Sequence, residues 1–309
     1  MRGPVTGDLA ELGAERWKLA TDEELCAIEP SDCNWPDGLP AMFEQVDVAI
    51  SRTHAEYRES PEIREIEALY LDMIAAARRF IYFENQYFTS AKIAACIAAR
   101  MEEADPPEIV LVMPRPAEGW LEQVAMDAAR LKLMAAIGHK DPGNRFRIYV
   151  PMTTGGADIY VHAKVAIVDD RLLRVGSSNL NNRSLGLDSE CDVTIDAALP
   201  ANRGTRPAMT ALRHRLLAEH LGCSAEQFAE AEMQASSMVD AIEALRGEGK
   251  TLELLEMEKL GASKEFIAAN ELLDPESPDA MLDPIAKRGL AKSWARGRSM
   301  LRRRQPKAG

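Results

Sequence analysis

The amino-acid sequence predicts an α/β fold, a mixed sheet with helices on both faces. Up to Val150, apolar runs of strand length alternate with longer segments of helical periodicity, an order typical of strands joined by helices. Beyond Val150 the strand-like runs follow one another directly, which adds antiparallel neighbours to the sheet. Apolar residues make up 46% of the 309 residues, which is ample for a buried core.

The elements follow from local patterns in chain order. Asp8 caps a predicted N-terminal helix, and turn residues from Ser31 to Leu39 form a linker. Pro61 opens a helix, and Ser224 with Gln227 forms a capping box that begins a late one. Further helices are predicted from about residue 91, over 121–135 and over 209–221, and strands over 46–50, 80–88, 108–113, 146–150, 161–169, 172–175 and 191–195. This order divides the chain into an N-terminal helix and linker (1–40), an α/β/α domain (41–222), a helical C-terminal extension (223–286) and a basic tail (287–309).

The residues best suited to chemistry lie in the stretch from Tyr160 to Asp169. Apolar residues at alternate positions from Val161 onward indicate a half-buried strand. On a strand, residues two apart project from the same face, so His162 and Lys164 are predicted to stand side by side. Together they offer a nucleophile or proton carrier beside a cation that can hold an anionic oxygen.

Small and polar residues follow the next predicted strand. Gly176, Ser177 and Asn179 allow a ligand to approach the backbone closely and can donate hydrogen bonds to it. Glu190 begins another strand-like run, and a carboxylate there can fix the tautomer of an imidazole.

These residues together resemble the HKD motif of the phospholipase D superfamily. The matching pattern is His162-x-Lys164-x4-Asp169, followed by Gly-Ser-x-Asn at 176–179 and by Glu190. The resemblance implies a phospholipase D-like α/β/α sandwich and a phosphodiesterase that acts through a phosphohistidine, without a metal or other cofactor. It further implies that two HKD motifs meet across one site and that water or a second alcohol releases the phosphatidyl group.

The resemblance also assigns roles to individual residues. His162 is one of the two catalytic histidines, and Lys164 and Asn179 bind the phosphate oxygens. Ser177 supports that pocket, Glu190 orients His162, and Asp169 is a structural hydrogen-bond or ion-pair partner. These roles are what the family pattern implies for this chain.

Two further segments resemble the long, two-motif enzymes of this superfamily. The run Phe80–Phe88 contains Glu84, Asn85 and Gln86 at the end of a predicted strand, where α/β sheets place their sites. We expect these three residues to border the active site as substrate-binding residues rather than to perform the chemistry. The Gly-Pro…Arg-Trp segment at 3–17 is similar to the stretch after the first HKD motif, so the chain resembles the C-terminal half of such an enzyme.

No other histidine has a lysine two positions later, so this sequence contains one HKD motif. Because the resemblance implies that two motifs form one site, a single motif supplies half of it. Three hypotheses follow. The first is a phospholipase D or transphosphatidylase completed by a missing N-terminal half or by a homodimer partner. The second is a dimeric, single-motif, nuclease-like phosphodiesterase. The third is a catalytically incomplete remnant that acts as a binding module.

Charge and composition narrow the partners. A net charge of −12 argues against a non-specific nucleic-acid binder, and the five scattered cysteines indicate neither a zinc site nor a disulfide framework. Nine Lys/Arg and no Asp/Glu lie in 287–309, so the rest of the chain carries about −21 by subtraction. We expect a cytoplasmic protein with a phospholipid substrate. The tail either contacts the membrane surface or is a disordered, solvated basic segment.

Overall fold

The computed structural model describes residues 1–26, 35–115 and 137–255, whose strands form one nine-stranded mixed sheet. Its strands are β1 Ala49–His54, β2 Ile63–Arg64, β3 Phe80–Glu84, β4 Glu108–Val112, β5 Phe146–Met152, β6 Val165–Val168, β7 Leu172–Gly176, β8 Glu190–Asp196 and β9 Thr251–Leu254. Their order across the sheet is β2-β1-β8-β7-β6-β3-β4-β5-β9. The prediction of a mixed α/β sheet is confirmed.

Helices cover both faces of the sheet. They are α1 Val5–Thr21, α2 Glu65–Ala76, α3 Ala91–Met101, α4 Asn182–Gly186, α5 Arg206–Leu221, α6 Ala225–Ala235 and α7 Met238–Leu245. The predicted capping box of α6 is present, since Ser224 and Gln227 exchange side-chain and backbone hydrogen bonds. None of the helices in the described ranges is long and apolar enough to cross a bilayer.

The strand directions decide where a site can form. β3, β4 and β5 are parallel, and every other pairing is antiparallel. As a result β3, β4, β5 and β7 end at the same edge of the sheet at which β6 and β8 begin. We call this the catalytic edge. Sites in α/β sheets collect at the carboxyl ends of such strands.

A two-residue turn joins β6 to β7 at the opposite edge. Asp169 and Asp170 both have positive φ, 53° and 49°, and the Arg171 N–H donates to the Val168 carbonyl. This is the geometry of a type I′ hairpin, whose twist matches that of the strands. The turn sets the register that brings Lys164 and Gly176 together at the catalytic edge.

Alternating residues of the central strands point to opposite faces of the sheet and pack into two separate cores. One core lies against α2 and α3 and contains Ile81, Phe83 and Ala166. The other lies against α5, α6 and α7 and contains Tyr82, Ile167 and Leu173. Burial on both faces explains why β3 and β4 are apolar without interruption.

The C-terminal boundary of the predicted domain was wrong. Residues 223–255 are part of the same fold, because α7 supplies Ile242 to the core and β9 pairs with β5. The strand β9 is four residues long, and its apolar and polar residues alternate only weakly. The sequence around it has helical periodicity, so the strand was not predicted. The predicted helix over 121–135 and the basic tail 287–309 lie outside the described residues.

Shorter corrections concern the first elements. β1 begins three residues later than predicted and continues to His54. The segment after Pro61 first forms the short strand β2, and the helix α2 begins only at Glu65. Both differences come from cross-strand pairing, which the helical periodicity of 63–77 does not reveal.

A buried charge network ties the hairpin turn to the helices. The Arg213 guanidinium is 1% exposed and donates to Asp170 at 2.9 Å and to Glu232 at 2.5 Å. His214 Nε2 lies 2.8 Å from Glu232. Burial alone would raise the pKa of Glu232, but the hydrogen bonds from His214 and Arg213 outweigh it and lower that pKa to about 2.

This network predicts a pH-dependent stability. The folded-state pKa of Glu232 lies below its ordinary value of 4.5, so its carboxylate stabilises the fold above that pH. The contribution, about 3 kcal/mol, is lost as the pH falls toward 2. We expect Glu232→Gln to lower the free energy of unfolding at neutral pH and to flatten its decline between about pH 5 and pH 2 in urea titrations. The control Glu230→Gln, on the exposed side of the same helix, should keep the wild-type slope; an equally steep slope in Glu232→Gln would contradict the assignment.

Candidate active site

The site residues converge at the catalytic edge. Gln86 follows β3, Lys164 precedes β6, Ser177 follows β7, and Glu190 begins β8. Four segments far apart in sequence are therefore brought together by strand order. The side chains of Lys164, Glu190 and Asp192 lie on the face of the sheet that is covered by α2 and α3.

His162 and Lys164 lie on one side of the chain, as predicted. The strand itself begins only at Val165, and residues 161–164 extend it without ladder pairing. Val161 and Ala163 pack into the core against α5–α7, so the residues between them point to the opposite face. His162 is exposed, and its ring makes no hydrogen bond within the described residues.

The Lys164 ammonium is held by neutral acceptors. Its Nζ donates to the His162 carbonyl at 2.8 Å and to Gln86 Oε1 at 3.1 Å. Burial lowers the pKa of Lys164; the Glu190 carboxylate opposes this shift, and the Arg174 guanidinium adds to it. The cation is thus fixed beside the exposed imidazole.

Glu190 is buried and accepts hydrogen bonds from two serine hydroxyls. Ser184 Oγ donates to it at 2.6 Å, and Ser177 Oγ donates to its other oxygen. Arg16 of α1 holds the Glu190 backbone carbonyl at 2.5 Å. The expected bond from Glu190 to the His162 ring stays a prediction.

The Gly-Ser-Ser-Asn loop rests on a buried ion pair. Arg174 and Asp192 both have 0% exposed side chains, and Arg174 Nε donates to Asp192 at 2.8 Å. Asp192 also accepts from the Ser178 hydroxyl at 2.6 Å, and the Ser178 carbonyl accepts from Arg174 at 3.1 Å. A Cβ on Gly176 would lie 2.0 Å from Asp192 Oδ1, so only glycine fits there.

Asn179 has an unsatisfied amide group at this loop. Its Oδ1 is buried without a hydrogen-bond partner in the described ranges. A buried polar atom of this kind indicates a ligand or water partner. With the amide turned over, Nδ2 would offer a donor suited to a phosphate oxygen. The predicted phosphate-binding role of Asn179 stays a prediction that this geometry accommodates.

Asp169 does not belong to the catalytic edge. Seven residues of extended chain, roughly 20 Å, separate it from His162. Its carboxylate accepts from the backbone N–H groups of Arg78, Arg79 and Phe80, at 2.7 to 2.9 Å. Asp169 therefore fixes the start of β3, in keeping with the structural role expected of it, and its inclusion among the catalytic residues was wrong.

Glu84 and Asn85 are also placed differently from the expectation. Alternation along β3 directs Glu84 to the other face, where it accepts from Tyr82 Oη at 2.5 Å and lies 3.2 Å from His220 Nε2. Asn85 is 0% exposed, and its Oδ1 accepts from the Leu180 N–H at 3.1 Å, which joins the β3 end to the serine-rich loop. Of the three polar residues, Gln86 alone contacts Lys164.

Several residues that shape the site were missed from sequence. Arg174 and Asp192 occupy strand positions where a charged residue normally indicates a solvent face. Their pairing depends on β7 lying next to β8, which the sequence alone does not show. Arg16 gives no sequence signal, since it acts through Glu190, which is far away in the chain. Ser184 lies six residues before Glu190, but its position in the chain does not show that its hydroxyl reaches the carboxylate.

The assembled groups are suited to a phosphodiester. An exposed imidazole, an adjacent ammonium, an amide and hydroxyl groups can attack phosphorus and hold its oxygens. Among the residues that the structure describes, no cluster of three or more His, Cys, Asp or Glu is placed to hold a metal ion.

Comparisons with known proteins agree with this chemistry. Residues 135–260 match the family model described as Phospholipase D. Phospholipase D delta of Arabidopsis thaliana is 25% identical over 61% of this chain, and phospholipase D alpha 1 of Ricinus communis is 24% identical over 76%. The chain spans 30% and 40% of the length of these two relatives.

A solved structure covers most of the chain at low similarity. Phosphatidylserine synthase of Haemophilus influenzae is 14% identical and has a TM-score of 0.45, covering 94% of this chain and 55% of that one. The family match spans the segments that carry His162, Lys164, Asn179 and Glu190. On the match over residues 135–260 and on the plant relatives, the chain is similar to the phospholipase D family.

Proposed function

We propose that this chain is a phosphodiesterase lobe of phospholipase D type, which hydrolyses or transfers the headgroup of a phospholipid. The observation that carries the proposal is the exposed His162 ring beside the fixed Lys164 ammonium at the catalytic edge. The acidic composition and the resemblance of the Glu84–Phe88 segment to lipid-directed enzymes favour a phospholipid over a nucleic acid.

For a homodimer, in which both histidines are copies of His162, we propose that one His162 ring attacks phosphorus; in the C-terminal half of a two-motif enzyme, His162 would be the acid instead. A phosphorus–nitrogen bond forms, the bond to the leaving alcohol breaks, and an acid protonates that alcohol. Water or a second alcohol then attacks the phosphohistidine and loses its proton, which frees His162. Lys164 and Asn179 stabilise the charge on the phosphoryl oxygens throughout.

The acid that protonates the alcohol is expected to be a second HKD histidine. His214 lies against Glu232, and His220 lies against Glu84 on the face of the sheet opposite Lys164. We propose that the second motif comes from a homodimer partner or from the N-terminal half of a longer enzyme. A remnant without a partner lobe would bind phosphate without turnover.

The exposed Val175 side chain supports contact with a partner lobe. Val175 is 41% exposed although β7 lies inside the sheet. Its cross-strand neighbours Val165 and Val193 are partly buried aliphatic residues on the same face, opposite Lys164. An exposed aliphatic group among such neighbours, next to the catalytic edge, suits an interface.

The membrane and cellular location belong to the same proposal. A phospholipid substrate requires the catalytic edge to reach a bilayer surface, and the basic residues of 287–309 suit anionic headgroups. We propose a cytoplasmic protein that binds the membrane surface through this tail. Binding of the 1–286 truncation to anionic vesicles as tightly as the full chain would contradict the role of the tail.

His162→Asn tests the nucleophile. With phosphatidylcholine vesicles as substrate, we expect headgroup release to fall about 10³-fold or more, because the covalent step is lost. Denatured samples quenched during turnover of ³²P-labelled substrate should contain an acid-labile, base-stable phosphoenzyme in the wild type and none in His162→Asn.

The matched control for this test is His139→Asn, an exposed histidine remote from the catalytic edge, which should keep wild-type turnover. Equal turnover by His162→Asn would refute the nucleophile assignment. Cleavage of bis(p-nitrophenyl) phosphate or DNA without headgroup release would instead favour the nuclease-like alternative.

Val175→Glu tests the partner lobe. In a symmetric dimer the substitution buries two carboxylates in the interface, one from each chain, and both lose their hydration. We therefore expect the dissociation constant of the dimer to rise at least ~tenfold, with a matching loss of turnover. Analytical ultracentrifugation measures the first effect. Met233→Glu, on a 74% exposed residue of α6, is the control. A monomeric wild-type chain whose turnover is unchanged by Val175→Glu would exclude the homodimer.

A further inference from the structure

The Lys164 ammonium has a defined number of free donors. An ammonium carries three N–H groups. Within the described residues two of them are used, one by the His162 carbonyl at 2.8 Å and one by Gln86 Oε1 at 3.1 Å. The third is left for a ligand, and the direction of the other two bonds decides where it points.

The Gln86 amide can face Lys164 only with its oxygen, Oε1. Its Nε2 donates to Tyr160 Oη at 2.5 Å and to Tyr87 Oη at 3.1 Å. Turned over, the amide would direct its NH₂ group at the ammonium, two donors against each other. The two phenols thus hold Oε1 toward Lys164.

Gln86 has little surface with which to touch a substrate. It is 8% exposed, whereas Tyr160, which shields it, is 60% exposed. The earlier expectation that Gln86 borders the substrate is therefore replaced by an indirect role. We propose that Gln86 is a positioning residue, which fixes the Lys164 ammonium so that its remaining N–H group meets a phosphoryl oxygen. This inference rests on the proposed function, in which Lys164 binds phosphate.

A neutral acceptor is what such a role requires. The charged groups that act on Lys164 are the Glu190 carboxylate and the Arg174 guanidinium, and burial disfavours its charge. An amide oxygen at position 86 orients the ammonium and supports its charge without neutralising it. A carboxylate there would form an ion pair and compete with the phosphate for the same cation.

Two substitutions of similar size separate positioning from simple packing. Gln86→Glu places a negative charge beside the ammonium, so the pKa of Lys164 should rise. Gln86→Met removes the acceptor and keeps the volume, so that pKa should fall. Both should weaken binding of inorganic phosphate about tenfold or more, the first by competition and the second by loss of orientation.

The pKa is measured by NMR on the full chain labelled with ¹³Cε-lysine, and the Lys164 signal is identified by its absence in Lys164→Met. Phosphate binding is followed by calorimetry on the same samples. Gln234→Glu, an exposed glutamine of α6, is the matched control and should change neither quantity. Thermal unfolding confirms that each variant is folded; should Gln86→Met fail to fold, Gln86→Glu alone decides.

Opposite displacements of the Lys164 pKa in the two variants, with weaker phosphate binding in both, would support the positioning role. An unmoved pKa, or displacements in the same direction, would overturn it. This readout does not require turnover. A wild-type chain without headgroup release would count against the proposed function while leaving the pKa result to judge Gln86.

Discussion

The buried pair of Arg174 and Asp192 is the constraint on which the site depends. Both side chains are fully excluded from solvent in the middle of the sheet, where unpaired charge is very costly. Their remaining hydrogen-bonding capacity is directed to Ser178, at the centre of the Gly-Ser-Ser-Asn loop. Loss of one partner would leave a buried charge unpaired, at a cost of about 3–5 kcal/mol. The loop that presents Ser177 and Asn179 is thereby held by charge as well as by the packing of Leu180 in the core.

The same pair explains the close approach of β7 to β8. Gly176 lies against Asp192 at a distance that leaves no space for a Cβ atom. The glycine of this motif therefore serves packing beneath the site, in addition to any contact with a ligand above it. The candidate site thus rests on Gly176, on Ser178 and on the buried pair of Arg174 and Asp192.

The two faces of the sheet divide the work of the molecule. On the α2–α3 side, Lys164, Glu190 and their partners form the polar site at the catalytic edge. On the other side, Arg213 links the hairpin turn to α6, and Glu84 pairs with His220. Both sides are populated by charged residues, but only one of them combines an exposed imidazole with a partly accessible ammonium. The proposed chemistry is thus placed on one face, and the ion pairs of the opposite face join the hairpin turn and β3 to the helices.

The sequence by itself determined the α/β class, the shared face of His162 and Lys164, and the segments that form the site. These features depend on local periodicity and on motif spacing, which neighbouring residues along the chain express. The capping box of Ser224 and Gln227 was predictable for the same reason.

Only the tertiary structure decided which polar residues reach the site. Glu84 and Gln86 are two residues apart, yet one is bound to His220 and the other to Lys164, because β3 ends between them. Asp169 is carried to the far edge by the length of β6, and β9 joins the sheet through pairing with β5. The contacts of Arg16 with Glu190 and of Arg174 with Asp192 join separate elements of the chain. Such contacts are set by strand order and register, and a linear pattern of residues does not contain them.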